Sequence, residues 1–441
     1  MHRSPEWRRA SALAVVALLA AGYALTLLVF YPGIVTYDAK YVYEDIGKHV
    51  FGDCQSPVMT LLWAWIDPLA PGAASMFLLI AITYWVGFAV LAFTTMRHSP
   101  GVAVLLPLLA LLPPAFVFVG IIWRDVFFAA AWLLAGALGY AAATQHRGGR
   151  LLLQGLAMLL CALGVLLRPN ALIAAALLAA AIVWPLRFSL KRAVLFFVPA
   201  ILCFFAVVQL VYYGALQATR QHPLQSVMIF DLGGISHFAQ ENQFPVDWTS
   251  TERAQLLNGC YRPTEWDIYW RLKPCDFVMQ RIEKQEKLFG TPAIPRAWLR
   301  AILHHPLAYL EHRAAFMRNF LGGANLTMWV KDIEHLPNDV FPDRPAFAAV
   351  RAIHDALKPT PLFRAGTWLL ACIVISAFAW RRRETAEGVF AIGVCGSAAI
   401  YVLTFFGAGV ASDFRYAYWA VLAALAGAVV MARGLAKPRP A

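Results

Sequence analysis

The run from Ser11 to Phe30 holds twenty residues without a single charge. About twenty such residues are what a helix needs to cross the hydrocarbon core of a bilayer. In lipid, only a helix or a closed barrel satisfies its own backbone hydrogen bonds. Runs of similar character recur along the chain, which excludes an ordinary soluble domain arrangement. Composition agrees, because charged residues make up only 14% of the 441, against about 25% in soluble domains. The reading is an all-α polytopic membrane protein.

About ten spans are predicted: Ala10–Phe30, Ala74–Thr95, Val102–Ile122, Val126–Thr144, Leu151–Leu167, Ala171–Pro185, Ala193–Tyr213, Leu362–Trp380, Ala386–Val410 and Ala417–Ala432. The first follows Arg3, Arg8 and Arg9, as a signal peptide does, but bulky Phe30-Tyr31-Pro32 offers no cleavage site, so an uncleaved helix is expected. Pro107, Pro113 and Pro114 predict a kink or break in the third span. Val58–Leu69 is apolar but short, and reads as an interfacial helix with Trp63 and Trp65 at headgroup level.

With this order of spans, fifteen Lys and Arg residues fall on one side, against Lys40, Lys48, Arg124, Arg168 and Arg415 in the short loops of the other. That asymmetry places both termini in the cytoplasm. It also accounts for the net charge of +12 without nucleic acid. The chain divides into an N-terminal transmembrane module (1–213), an external helical region (214–361) and a C-terminal transmembrane module (362–441), with an acidic first external loop at 31–57. In the external region, Pro295–Leu321 repeats apolar residues at helical spacing and reads as one helix.

The polar residues able to do chemistry cluster at the predicted outer ends. Asp38, between Tyr37 and Tyr41, either accepts a proton from an incoming hydroxyl or is an ordinary solvated aspartate. Glu44 and Asp45 are further candidate carboxylates, and their adjacency points them in different directions. Three outer turns each carry an arginine: Arg124 with Asp125, Arg168 with Asn170, and Arg415 between Asp413 and Tyr416. Guanidinium groups at that depth either grip a phosphate or pair within the protein. In the external helix, His305, seven residues before His312, and Arg313 are candidate substrate contacts. Cys260 and Cys275 fall on the predicted outer side, where disulfides persist, and are expected to form a bridge, the alternative being two free thiols. No Cys/His spacing suits a metal site.

Five short motifs then carry a resemblance: YPGIVTYD after the first span, WRD opening the fourth, LLRPNAL at the fifth-to-sixth turn, HHPLAYLEHR in the external region, and SDFRY near the end. The layout resembles the GT-C class of polytopic glycosyltransferases, closest to the bacterial branch related to protein-mannosyl and aminoarabinose transferases. The resemblance implies a polyprenyl-phosphate-linked sugar donor, a lipid or glycan acceptor in the cell envelope, and a bacterial inner-membrane location. It places an essential acidic residue of the first external loop at Asp38. Where related sequences carry a histidine before the loop's final proline, this chain has Gln55-Ser56-Pro57. The implied reaction is inverting displacement, with Asp38 as base and Arg124, Arg168 and Arg415 stabilising the departing phosphate. No cofactor is implied, and a divalent metal is left open. A polymerase or ligase of lipid-linked glycans, a transporter or flippase, and a purely structural membrane protein are the competing readings.

Overall fold

The computed structural model describes residues 5–48, 50–270, 272–323, 333–336 and 341–435. Arg3, Lys437 and Arg439 of the sidedness argument lie outside them. The described residues form helices and isolated β-bridges, with no strands among them.

Among the described residues, seven helical segments are long and apolar enough to cross a membrane, as befits an all-α multi-pass membrane protein. The helices that contribute to them are α1 (Pro5–Phe30), α4 (Ala73–Met96), α5 (Arg124–Ala142), α6 (Arg147–Leu167), α8 (Leu190–Gln209), α15 (Ala386–Ala408) and α16 (Tyr418–Leu435). The third, sixth and eighth predicted spans coincide with shorter apolar segments, Pro100–Leu109, Pro169–Val183 and Ala365–Trp380. The last two contain α7 (Leu172–Val183) and α14 (Ala365–Trp380). The third is a broken path of helical turns, with Leu112 extended ahead of Pro113. Proline removes a helical donor and forces its predecessor out of the α region, so the expected break is present.

α5 and the segment containing α16 are almost wholly buried, whereas α8 buries only a few residues, among them Ala200, Phe204 and Val208. The centre is dense because α5 is rich in Ala and Gly, which lets helices approach closely. Gly164 of α6 lies so near Trp132 of α5 that a Cβ there would overlap the indole. Gln154, a polar residue inside a predicted span, donates to the carbonyls of Ile182 and Val183 and so caps the end of α7.

Between α1 and α4 lie α2 (Tyr37–Lys48) and α3 (Pro57–Ile66). Ser56 caps α3 by accepting from the Met59 N–H, and Pro57 takes the first helical position. The interfacial reading needs one correction. Trp65 is exposed but Trp63 is fully buried, packed on Tyr43 and donating to the Gly72 carbonyl. Two residues apart on a helix, the indoles point in different directions, so one enters the core.

The polar region holds α9 (Pro223–Ala239), α10 (Ser250–Asn258), α11 (Ala293–His304), α12 (Pro306–Gly322) and α13 (Pro345–Leu357). The expected single helix Pro295–Leu321 is two. His305, with φ −127° and ψ 56°, breaks it because a residue before proline is driven out of the α conformation. Cys260 and Cys275 are bonded.

Candidate active site

The site is assembled by loops that meet at one end of the bundle. After α1, Gly33 at φ +116° turns the chain, a conformation that only glycine adopts cheaply. The segment that follows pairs with the approach to α5: the Ile34 N–H donates to Gly120 O at 2.8 Å and the Ile122 N–H to Ile34 O at 3.0 Å. Trp123 then donates to the Thr36 hydroxyl at 2.7 Å. These bonds hold the start of α2, which bears Asp38, beside the start of α5, which bears Arg124 and Asp125. The other two bridges act similarly. Gly52 pairs with Thr219, and Glu265 pairs with Ala411 next to the Arg415 loop.

Asp38 lies in the first turn of α2, where the helix dipole favours an anion. Its Oδ2 accepts from Arg415 Nη1 at 2.6 Å, and its Oδ1 accepts from Gln55 Nε2 at 3.3 Å. The carboxylate keeps one open side, with 35% of its side chain exposed. Burial pushes its pKa up, but Arg415, Arg124 and Arg168 together outweigh that and hold it below the ordinary value.

Arg415 is the hub. Its Nε lies 3.1 Å from Asp413, its Nη2 donates to the Tyr416 hydroxyl at 3.3 Å, and its guanidinium stacks 4.8 Å above Trp123. Asp413 also accepts from the Arg415 backbone N–H at 3.0 Å. Burial raises Asp413 to about 6, against the pull of Arg415.

The other two arginines differ in role. Arg168 is buried and paired with Asp125, itself buried, and lies 5.1 Å from the Tyr416 ring. Asn170, in the same turn, faces Tyr401. Arg124 donates to the Cys54 carbonyl at 2.8 Å, and no carboxylate is in ion-pair range of it among the described residues. Of the three, Arg124 keeps the most uncommitted charge. A phosphate arriving here would meet one guanidinium engaged only by a carbonyl and a second held by Asp38 and Asp413.

Asp38, Gln55, Arg124, Asp125, Arg168, Asp413, Arg415 and Tyr416 therefore belong to one neighbourhood. Other candidates lie elsewhere. Glu44 is exposed beside Lys48 at 3.6 Å. Asp45 is buried, its carboxyl raised by burial, and two turns along α2 put it about 10 Å from Asp38. His305 lies 3.5 Å from Glu241, and Arg313 is buried against Asp231.

Three participants were not singled out from sequence. Trp123 is the platform under Arg415, although the WRD motif already contained it. Asp53 accepts from the Tyr213 hydroxyl at 2.8 Å and the Gln221 N–H at 2.6 Å, which fastens the loop carrying Gln55. Asp231 anchors a buried cluster described below. Nothing in a lone aspartate within an apolar stretch distinguishes it before its partners are known. Among the described residues, no group of three His, Cys, Asp or Glu is placed to hold a metal ion.

No family model matches the chain, and no curated protein matches it. Among solved structures, it is similar to the archaeal oligosaccharyltransferase AglB from Archaeoglobus fulgidus in complex with an inhibitory peptide and a dolichol-phosphate. That match has 14% identity and a TM-score of 0.41, covering 95% of this chain and 50% of that one. It is also similar to ArnT from Cupriavidus metallidurans bound to undecaprenyl phosphate, at 15% identity and a TM-score of 0.34, covering 96% and 78%. The chain spans about half the length of the oligosaccharyltransferase. Likeness at this level assigns no activity by itself, so a functional reading rests on the site.

Proposed function

We propose that this protein is a membrane glycosyltransferase that moves a sugar from a polyprenyl-phosphate donor to an envelope acceptor at the outer face of a bacterial inner membrane. The observation that carries the reading is the Arg415–Asp38 pair, with Arg124 beside it outside any ion pair among the described residues, in a chain of long apolar helices. The acceptor hydroxyl gives its proton to Asp38, its oxygen attacks the anomeric carbon, and the bond to the donor phosphate breaks with inversion.

Charge conservation explains the geometry. Asp38 loses a negative charge as it takes the proton, and the departing phosphate gains one. Arg415 touches the first and can follow the charge to the second. Arg124 supplies standing positive charge, the preorganised stabilisation that dominates many such sites. In the resting site the arginine holds Asp38 ionised but weakly basic. A bound phosphate draws Arg415 away and restores its basicity. Arg168, neutralised by Asp125, supports the Tyr416 ring rather than gripping phosphate.

The test compares cell-envelope glycans by mass spectrometry with the gene present, deleted and restored as Asp38→Asn. A sugar should vanish on deletion and stay absent in the variant while the protein accumulates in the membrane. An unchanged glycan profile on deletion would overturn the proposal. A periplasmic reporter fused after Gln240 should be active, and a silent one would invert the sidedness.

A further inference from the structure

Between the end of α15 at Ala408 and the turn that begins at Phe414, the chain is not helical. Gly409 has ψ 137° and Asp413 has ψ 133°, so this link is extended at both ends. Outside a helix, the backbone N–H and C=O groups of this link need partners elsewhere. They find them in the polar region. The Trp266 N–H donates to Val410 O at 2.9 Å, and the Ser412 N–H donates to Thr264 O at 2.7 Å. The Ser412 hydroxyl adds a bond to Thr264 O at 3.1 Å. Residues 264–266 lie inside the loop closed by Cys260 and Cys275, and both sulfurs are buried.

A second support reaches Gly409. Arg313 donates from Nη1 to its carbonyl at 2.7 Å, while its Nε lies 2.6 Å from Asp231. Asp231 also accepts from Trp298 Nε1 at 2.7 Å and faces His312 Nε2 at 3.3 Å. The other ring nitrogen of His312 lies 3.2 Å from the Tyr261 hydroxyl, next to Cys260. Asp231, His312 and Arg313 are fully buried. A buried charge cluster of this kind gives little net stability, because desolvation offsets the attraction. It does give a fixed geometry, and its free guanidinium arm ends on the Arg415 loop.

We infer that Arg313 and the disulfide-closed segment 260–275 are positioning elements for Arg415, holding 409–412 in the register that lets the guanidinium meet Asp38 and a donor phosphate. The inference rests on the reading of Arg415 as a phosphate-binding group. Neither support touches the reacting atoms. Both act through the backbone of the loop.

The experiment measures undecaprenyl phosphate binding to the detergent-purified full chain and three variants, Arg415→Ala, Cys260→Ala/Cys275→Ala and Arg313→Lys. The lysine keeps a cation near Asp231 but gives up the second arm to Gly409, and a melting curve in detergent separates that loss from unfolding. Each variant should weaken binding by about tenfold, as loss of one charge-assisted contact does. Adding Arg415→Ala to either of the others should cost nothing more, because all act on one group. Additive losses, or unchanged binding in both positioning variants, would overturn the inference. If Arg415→Ala alone leaves binding unchanged, the phosphate reading of Arg415 fails instead. The positioning role is then decided by amide exchange. Residues 410–416 should exchange faster in the cysteine variant while α5 stays protected, and undiminished protection of 410–416 would sink it.

Discussion

Asp38→Asn removes two things at once: the carboxylate that takes the acceptor's proton and the anion that holds Arg415. The first loss should lower transfer by about 10²–10⁴-fold, the usual contribution of a positioned general base. The second works in favour of donor binding. The Arg415–Asp38 contact is 2.6 Å, and the two side chains are 17% and 35% exposed. A hydrogen bond to a charged group contributes about 1.5–3 kcal/mol when well shielded. The open side of Asp38 brings this pair nearer the exposed range, roughly 1 kcal/mol. A phosphate displacing that carboxylate must overcome about this much, so the variant should bind undecaprenyl phosphate about fivefold tighter. Asparagine can still accept from Gln55, so the loop itself should not collapse. The assay pairs equilibrium binding of undecaprenyl phosphate with sugar transfer in membranes. Equal or weaker binding by the variant would refute the competition for Arg415. Retained transfer would refute the base assignment.

Other consequences can be tested alongside. Arg168→Ala strands the buried Asp125 carboxylate and should destabilise the protein by about 3–5 kcal/mol, seen as a lower melting temperature in detergent; the double variant Asp125→Ala/Arg168→Ala should recover part of it, and no recovery would argue against a simple ion pair. The acid limb of transfer should fall near pH 6, where Asp413 takes a proton and releases the Nε side of Arg415. The raised pKa of Asp413 means that its contribution to stability is present below the unfolded value and fades as pH rises through about 6. The depressed pKa of Asp38 has the opposite sign: its contribution holds above the unfolded value and is lost only as pH falls through the folded one, so it does not set the limb. Asp413→Asn should remove the limb, and a limb that persists would exclude Asp413 as its source. Gly33→Ala meets both a positive φ and the Phe77 side chain, and should cost about 1–3 kcal/mol with reduced transfer; a variant as stable and active as the parent would show that the turn tolerates another path.

Much of the scaffold was legible because its signals are local. Pro107, Pro113 and Pro114 announced the broken third segment, and the structure breaks there. The same rule was available at Pro306 but was masked by apolar residues that keep helical spacing across the break. Periodicity reports a face, whereas proline reports a backbone conformation, and at His305 the second prevailed. Trp63 and Trp65 looked alike in sequence, since both are indoles in a short apolar helix. Only the packing of α3 against Tyr43 and Gly72 separates the buried ring from the exposed one.

The candidate site was legible as an inventory of residues. Asp38 and three arginines in turns of one predicted side followed from charge patterning. Their division of labour did not. Arg168 and Arg415 stand in similar short turns, yet one is neutralised by Asp125 and the other bridges Asp38 and Asp413.

By itself, the sequence determined which stretches are helical and apolar, where prolines interrupt them and which turns carry charge, because these depend on neighbours a few residues apart. Tertiary structure alone decided that Arg415 reaches Asp38 across 377 positions of chain, and that Arg313, held by Asp231, ties the polar region to the same loop. A guanidinium selects its carboxylate by distance and burial in space. No local pattern encodes that choice until the helices have packed.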